Sequence, residues 1–398
     1  MRPTVATARA TAGTCRNDFT IAGGNMGTDN NTSSRAYIIQ QFSSGTLTIA
    51  STLAETGAGN CFIKSGPGRL VLSGTNTFSG PTYINEGVLT AGSAQNGTTS
   101  GPLGANGAIN FTGGTLQYSS DTNIAVADYS PRFATGGGMQ YKVDTNGRTV
   151  TFGTVLTSAG GSLTKSGSGT LTLNAVGNAY TGTTSINGGT LALGASALLA
   201  YTPVINVASG ATFDVTGKLS AGLTLSQFAP QELRGDGLVF GNVTLGSAST
   251  LTPGASGVGT LSFDGNLTLS GSSVFNFELG SDATAGTTYD QVKLFSTYGG
   301  TFDLGAGVIN FSNFNFTPLA GFGAGTYTLF DGGFPPTTLA GTLGSSLTGQ
   351  INGFDATLSQ SGSSVLLTVA AAVPEPGTLV LLAAAGLAVA VARRRRSR

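Results

Sequence analysis

The chain has no histidine, no tryptophan and only two cysteines in 398 residues. Without histidine the commonest general base and metal ligand is missing, and Ser–His or Cys–His activation of a nucleophile is excluded. Without tryptophan a carbohydrate platform has only Tyr and Phe to draw on. Charged residues are 9% of the chain, far below the ~25% of an ordinary protein. For Cys15 and Cys61 two readings stay open. An exported chain can join them in one disulfide closing a loop of about 45 residues, or they are two unrelated small hydrophobes. No CxxC spacing exists, so a zinc site has no support. No sequence feature points to a cofactor, and no Gly-rich segment has the strand–loop–helix context of a phosphate cradle.

What the chain has in excess is glycine, 63 residues, about twice the ~7% expected. Ser, Thr and Asn fill the polar positions. From Ile21 onward, short apolar runs alternate with Ser or Thr and are punctuated by Gly, Asn and Asp. Thr46-Leu-Thr-Ile49, Arg69-Leu-Val-Leu72, Ala108-Ile-Asn-Phe111 and Thr115-Leu-Gln-Tyr118 show the period-two pattern of strands. No stretch before the C-terminal tail keeps a 3.6-residue apolar period. The body is expected to be all β.

The tail is built differently. Val373-Pro-Glu-Pro-Gly377 leads into the uncharged apolar run Thr378–Ala392, which meets Arg393, Arg394, Arg395 and Arg396 before the chain ends. Two prolines stop any regular element. Fifteen apolar residues are short for a bilayer span but workable with snorkelling and thinning, and the arginines orient the segment to the cytoplasmic face. Without the tail, thirteen basic residues face seventeen acidic ones, so the body is weakly acidic and unsuited to nucleic acid. The tripartite tail resembles the PEP-CTERM sorting signal, with Pro374, Glu375 and Pro376 as its motif. The resemblance implies an exosortase-type membrane protease as partner and a membrane-held precursor. It also implies delivery to the cell surface or extracellular matrix, with exopolysaccharide as a possible associate. Residues 1–20 carry no recognisable signal peptide, because no apolar run precedes Gly13. The expectation is that the recorded start lies inside a longer reading frame.

Two segments repeat. Lys64-Ser-Gly-Pro-Gly-Arg-Leu-Val-Leu leads through Phe78 to Ile84-Asn-Glu-Gly-Val-Leu89. Lys165-Ser-Gly-Ser-Gly-Thr-Leu-Thr-Leu leads through Tyr180 to Ile186-Asn-Gly-Gly-Thr-Leu191. At three short strands in 25–30 residues, each unit is sized as one rung of a β-solenoid, with Asn85 and Asn187 expected to stack as a corner ladder. These segments resemble the autotransporter-associated β-strand repeat of bacterial surface passengers. The calcium-binding glycine–aspartate repeat of other exported solenoids is absent.

The expected organisation is a right-handed parallel β-helix over 21–270, with repeats at 64–89 and 165–191. An aromatic-rich β cap over 271–370 follows, then the sorting signal 373–398 with a transmembrane helix at 378–392. Acidic residues are scattered: Asp214, Glu232, Asp236, Asp264, Glu278, Asp282, Asp290 and Asp303. The densest group, Glu232, Arg234 and Asp236, reads as a turn between glycines, and Asp290 likewise. The function expected is a non-enzymatic, adhesin-like surface solenoid. A polysaccharide lyase or hydrolase on the same scaffold is the alternative, which three carboxylates meeting in one groove would favour.

Overall fold

The computed structural model describes residues 18–27, 35–55, 59–199, 201–226, 228–255, 257–281, 284–295, 300–332 and 338–370. The tail residues Pro374, Glu375, Pro376, 378–392 and Arg393 to Arg396 lie outside that set, as does Cys15. Among the described residues no helix is long and apolar enough to cross a membrane.

The body is an all-β solenoid of right-handed type, as the alternation predicts. One sheet of 13 strands runs its length, from Phe19–Ile21 to Phe314–Pro318, with every neighbouring pair parallel. A four-stranded sheet, Ala36–Gln40 to Ile109–Phe111, backs it near the N-terminal end. An 11-stranded sheet takes over that side from Thr149–Phe152. From Leu223–Leu225 a third, five-stranded sheet joins, so later coils have three strands each; Glu232–Gly235, Leu238–Phe240 and Val243–Leu245 form one such coil. Alternate residues of each strand point inward. In Thr170–Leu173 the buried pair is Leu171 and Leu173, and these sit in register with Leu191 and Leu193 of the next coil. Repetition of that contact makes one continuous apolar core.

The repeat unit does not correspond to one rung. Cys61–Ser65 pairs with Thr82–Ile84, and Arg69–Leu72 pairs with Val88–Ala91. The second copy does the same: Ser162–Ser166 with Thr184–Ile186, and Thr170–Leu173 with Thr190–Leu193. Each copy therefore covers four strands on two successive coils, with a step of roughly 20 residues, as the pairs Lys64–Ile84 and Leu171–Leu191 show. Sequence alignment finds the repeated text but carries no information on where a coil closes.

Towards the C-terminal end the coils lengthen, Phe275 pairing with Phe314 and Val292 with Phe330. A wider cross-section needs larger side chains to stay close-packed. Phenylalanines supply them: Phe330 lies edge-on to Phe275 at 5.6 Å and stacked on Phe302 at 5.2 Å. Parallel pairing continues to Thr338–Leu343. The last strands then reverse. Ser364–Val369 pairs antiparallel with Gly325–Asp331 and with Phe354–Ser361, which in turn pairs with Thr348–Ile351. This antiparallel layer satisfies the strand edge that the last coil of the 11-stranded sheet presents.

Candidate functional site

The repeats place a lysine in the core. In Cys61–Ser65 and Ser162–Ser166 the inward positions are Phe62 with Lys64, and Leu163 with Lys165; both lysines are fully buried. Lys64 Nζ donates to the carbonyls of Ser65 (3.1 Å), Gly66 (2.6 Å) and Glu86 (3.1 Å). Lys165 Nζ donates to those of Ser166 (3.0 Å), Gly167 (2.8 Å) and Gly188 (2.9 Å). The ammonium thus pins two turns, its own and that of the next coil, by charge-assisted bonds. Gly66 (φ +78°) and Gly167 (φ +70°) are needed where the chain doubles back; a Cβ on Gly66 would lie 2.5 Å from the Gln41 carbonyl oxygen. Loss of hydration lowers both lysines to about 8, opposed by the negative charge of Glu86 beside Lys64 and Asp144 beside Lys165.

The expected amide ladder does not form at Asn85 and Asn187; two other asparagines bond backbone groups across coils instead. Asn85 and Asn187 are both exposed. Asn85 bonds only outward, to Ser65 Oγ (3.3 Å) and Thr112 Oγ1 (2.6 Å). The buried pair is Asn76 and Asn178, each two residues before the repeat's aromatic. Asn76 accepts from Leu53 N (2.8 Å) and donates to the Pro102 carbonyl (2.8 Å), tying three coils together. Asn178 accepts from Leu156 N at 3.0 Å and donates to the Ala175 and Leu198 carbonyls at 3.4 Å. Such positions exist because turns leave peptide groups that the ladders cannot pair.

The outer face of the long sheet is polar over many coils. Lys142, Thr164, Ser185, Asn206, Arg234 and Thr252 occupy one register position on successive strands. Asn276 continues the row, donating to Thr252 Oγ1 (3.0 Å), and Asn315 donates to Asn276 Oδ1 (3.1 Å). Strand spacing sets these side chains about 4.8 Å apart along the solenoid. Hydroxyls and amides predominate, so this face can hydrogen-bond an extended polar partner without strong charge.

Among the carboxylates, Glu232 takes Thr252 Oγ1 at 2.7 Å and pairs with Arg234 at 3.9 Å. Both lie in the strand Glu232–Gly235, so this group is not the turn expected, though Asp236 directly follows it. Asp214 and Asp303 bond their own turns, to Thr216 and Gly305. Asp282 lies outside the described residues. Asp290 departs most from expectation. It is 1% exposed, and its oxygens accept the N–H groups of Gly259 (2.8 Å) and Glu278 (2.7 Å). Burial pushes Asp290 up to about 7 despite those bonds, with Glu278 and Asp236 adding repulsion. Asp290 and Glu278 line a cavity of about 280 Å³ with Thr252, Asn276 and Thr317. Among the described residues no three His, Cys, Asp or Glu side chains are grouped to hold a metal ion. Cys61 is a free thiol on the outer side of its strand.

Residues 62–91 and 163–193 match the passenger-associated-transport-repeat, and residues 372–396 match the PEP-CTERM protein-sorting motif. The chain is also similar to the adhesin BmaC autotransporter of Brucella suis biovar 1 (strain 1330), 29% identical over 258 residues. That alignment covers 60% of this chain but 7% of the relative's length. The two repeat matches span the four-strand units that carry Lys64 and Lys165, and the sorting match spans Pro374 to Arg396. A solenoid built on passenger-type repeats and followed by a sorting motif is that of an exported, cell-envelope-associated surface protein.

Proposed function

We propose that this protein is a non-enzymatic, adhesin-like β-solenoid, sorted through Pro374-Glu375-Pro376 and released by an exosortase-type protease to the surface or matrix. The observation that carries the reading is the pairing of a passenger-type solenoid with a sorting motif, on a body whose long face is hydroxyl and amide rather than catalytic. In this reading Arg393 to Arg396 hold the precursor's tail at the cytoplasmic side of the membrane until cleavage. Exopolysaccharide is the partner such a neutral polar face suits, through many weak hydrogen bonds spaced by the strands. The relative's designation as an adhesin supports the same class.

The alternative, a polysaccharide-active enzyme, has one observation in its favour: Glu278 and Asp290 line one cavity, and Asp290 titrates near neutrality, as a general acid would. Against it, each Asp290 oxygen is held by a backbone N–H and the residue is 1% exposed, so the carboxyl is poorly placed to meet a glycosidic bond. The intact mass of protein recovered from the host's outer surface tests the proposal. Loss of roughly the last 25 residues is expected. A recovered chain still ending at Arg398 would refute release and make the tail a permanent anchor.

A further inference from the structure

Three strands of the long sheet and one corner build the cavity already described. Thr250–Pro253, Val274–Leu279 and Phe314–Pro318 lie side by side, and Glu278 and Thr317 are register partners. At the corner the chain folds back, Asp290 N donating to the Glu278 carbonyl (2.8 Å) while Glu278 N donates to Asp290 Oδ2. Gly259 N donates to Asp290 Oδ1 (2.8 Å). The Asp290 side chain is therefore fixed in the cavity wall by backbone donors.

Its free hydrogen-bonding capacity is one-sided. The Thr252 hydroxyl donates to Glu232 and accepts from Asn276, and the Asn276 carbonyl oxygen accepts from Asn315. Each Asp290 oxygen already accepts one backbone N–H. The Glu278 carboxylate accepts no hydrogen bond among the described residues, and no Lys or Arg lines the cavity. What is left over is acceptor capacity and negative charge, next to a hydroxyl from Thr317. A volume of about 280 Å³ holds one sugar-sized group.

We propose that this cavity binds a primary ammonium group carried on a hydroxylated ligand, with Glu278 as the counter-charge and Thr317 against a ligand hydroxyl. An amino sugar with a free amine has this chemistry; a lysine side chain shares the ammonium but not the hydroxyls. The inference stands on the cavity and not on the adhesin reading, so its failure leaves that reading in place.

Isothermal titration of the full-length protein with glucosamine, glucose, N-acetylglucosamine and lysine amide tests it. Glucosamine is expected to bind at least about tenfold more tightly than glucose or N-acetylglucosamine. Glu278→Gln, which keeps the shape of a half-buried side chain, is expected to erase that preference while leaving the circular dichroism unchanged. Thr317→Val is expected to weaken glucosamine by a few-fold and lysine amide not at all. Lysine amide binding as tightly as glucosamine, with the same loss in Glu278→Gln, would overturn the hydroxylated ligand and point to a peptide instead. Equal affinity for glucose and glucosamine, undetectable binding of all amines at millimolar concentration, or an unaltered Glu278→Gln profile would each overturn the proposal.

Discussion

Replacing Lys165 by Met removes the ammonium while keeping a side chain of similar length. The carbonyl of Ser166 retains a donor, Thr145 N at 3.2 Å, but those of Gly167 and Gly188 lose the only side-chain donor they have. Two orphaned half-buried acceptors cost up to about 1–3 kcal/mol each, so the gross loss is at most about 2–6 kcal/mol. The charge itself works the other way. With the amine lowered from 10.5 to about 8, keeping it protonated in the fold costs about 3 kcal/mol at neutral pH. At pH 7 the two effects nearly offset, and the net change is expected between about 1 kcal/mol of stabilisation and about 3 kcal/mol of destabilisation. The pH dependence separates them. Because the folded value lies below the unfolded one, the unfolded state binds more protons between pH 8 and 10.5. The lysine's contribution therefore becomes more favourable as pH rises through that window, by about 2–3 kcal/mol between pH 7 and 10. Lys165→Met lacks that gain, so its deficit relative to the parent must widen by the same amount. Tyr118, Tyr129, Tyr141 and Tyr180, whose hydroxyls burial pushes upward, weaken both proteins in strong alkali and cancel in the difference. Denaturant unfolding at pH 7, 8.5 and 10, followed by fluorescence of the tyrosines, measures it. A deficit that is constant or shrinks with pH would show that the carbonyl cage keeps the ammonium at its ordinary basicity, and the reasoning would fail.

Lys64→Met should reproduce the effect in the first repeat, where Gly66 and Glu86 supply the matching carbonyls and Ser65 keeps the Gln41 N–H. With several coils between the two lysines, the double variant should lose the sum of the single losses to within about 0.5 kcal/mol, by the same unfolding assay. Asn178→Ala should destabilise by about 1–3 kcal/mol, because it strands Leu156 N in the core. Asn187→Ala, at an exposed position, should stay within about 0.5 kcal/mol. Equal losses at the two asparagines would mean that the cross-coil bonds of Asn178 contribute no stability of their own.

Period-two alternation was sufficient for the strands, and for more than was taken from it. In Phe62-Ile-Lys64 and Leu163-Thr-Lys165 the lysine is in phase with the apolar residue two before it. The pattern therefore places the amine inside, and only the habit of reading lysine as solvated hides it. The cross-coil asparagines have a weaker signal. Asn76 and Asn178 stand two residues before Phe78 and Tyr180, but Asn85 and Asn187 follow Ile in the same way and look equally placed. Turn backbones decide between the two pairs, since only a segment that bends across the core presents orphaned peptide groups to it. Coil length was invisible for a related reason. Registers such as Leu70 with Leu89 are set by how many residues each corner consumes, and corners rich in Gly and Asn carry no periodicity. Asp290 escaped because its partners, Gly259 and Glu278, come from separate strands that meet only where two coils close. In a solenoid the facing surfaces of a strand are written locally, whereas any site spanning coils depends on loop lengths. The polar row from Lys142 to Asn315 is of the first kind and the Glu278 cavity of the second. For that reason the row can be extended by adding coils, while a one-residue insertion between Leu279 and Asp290 would be enough to dismantle the cavity.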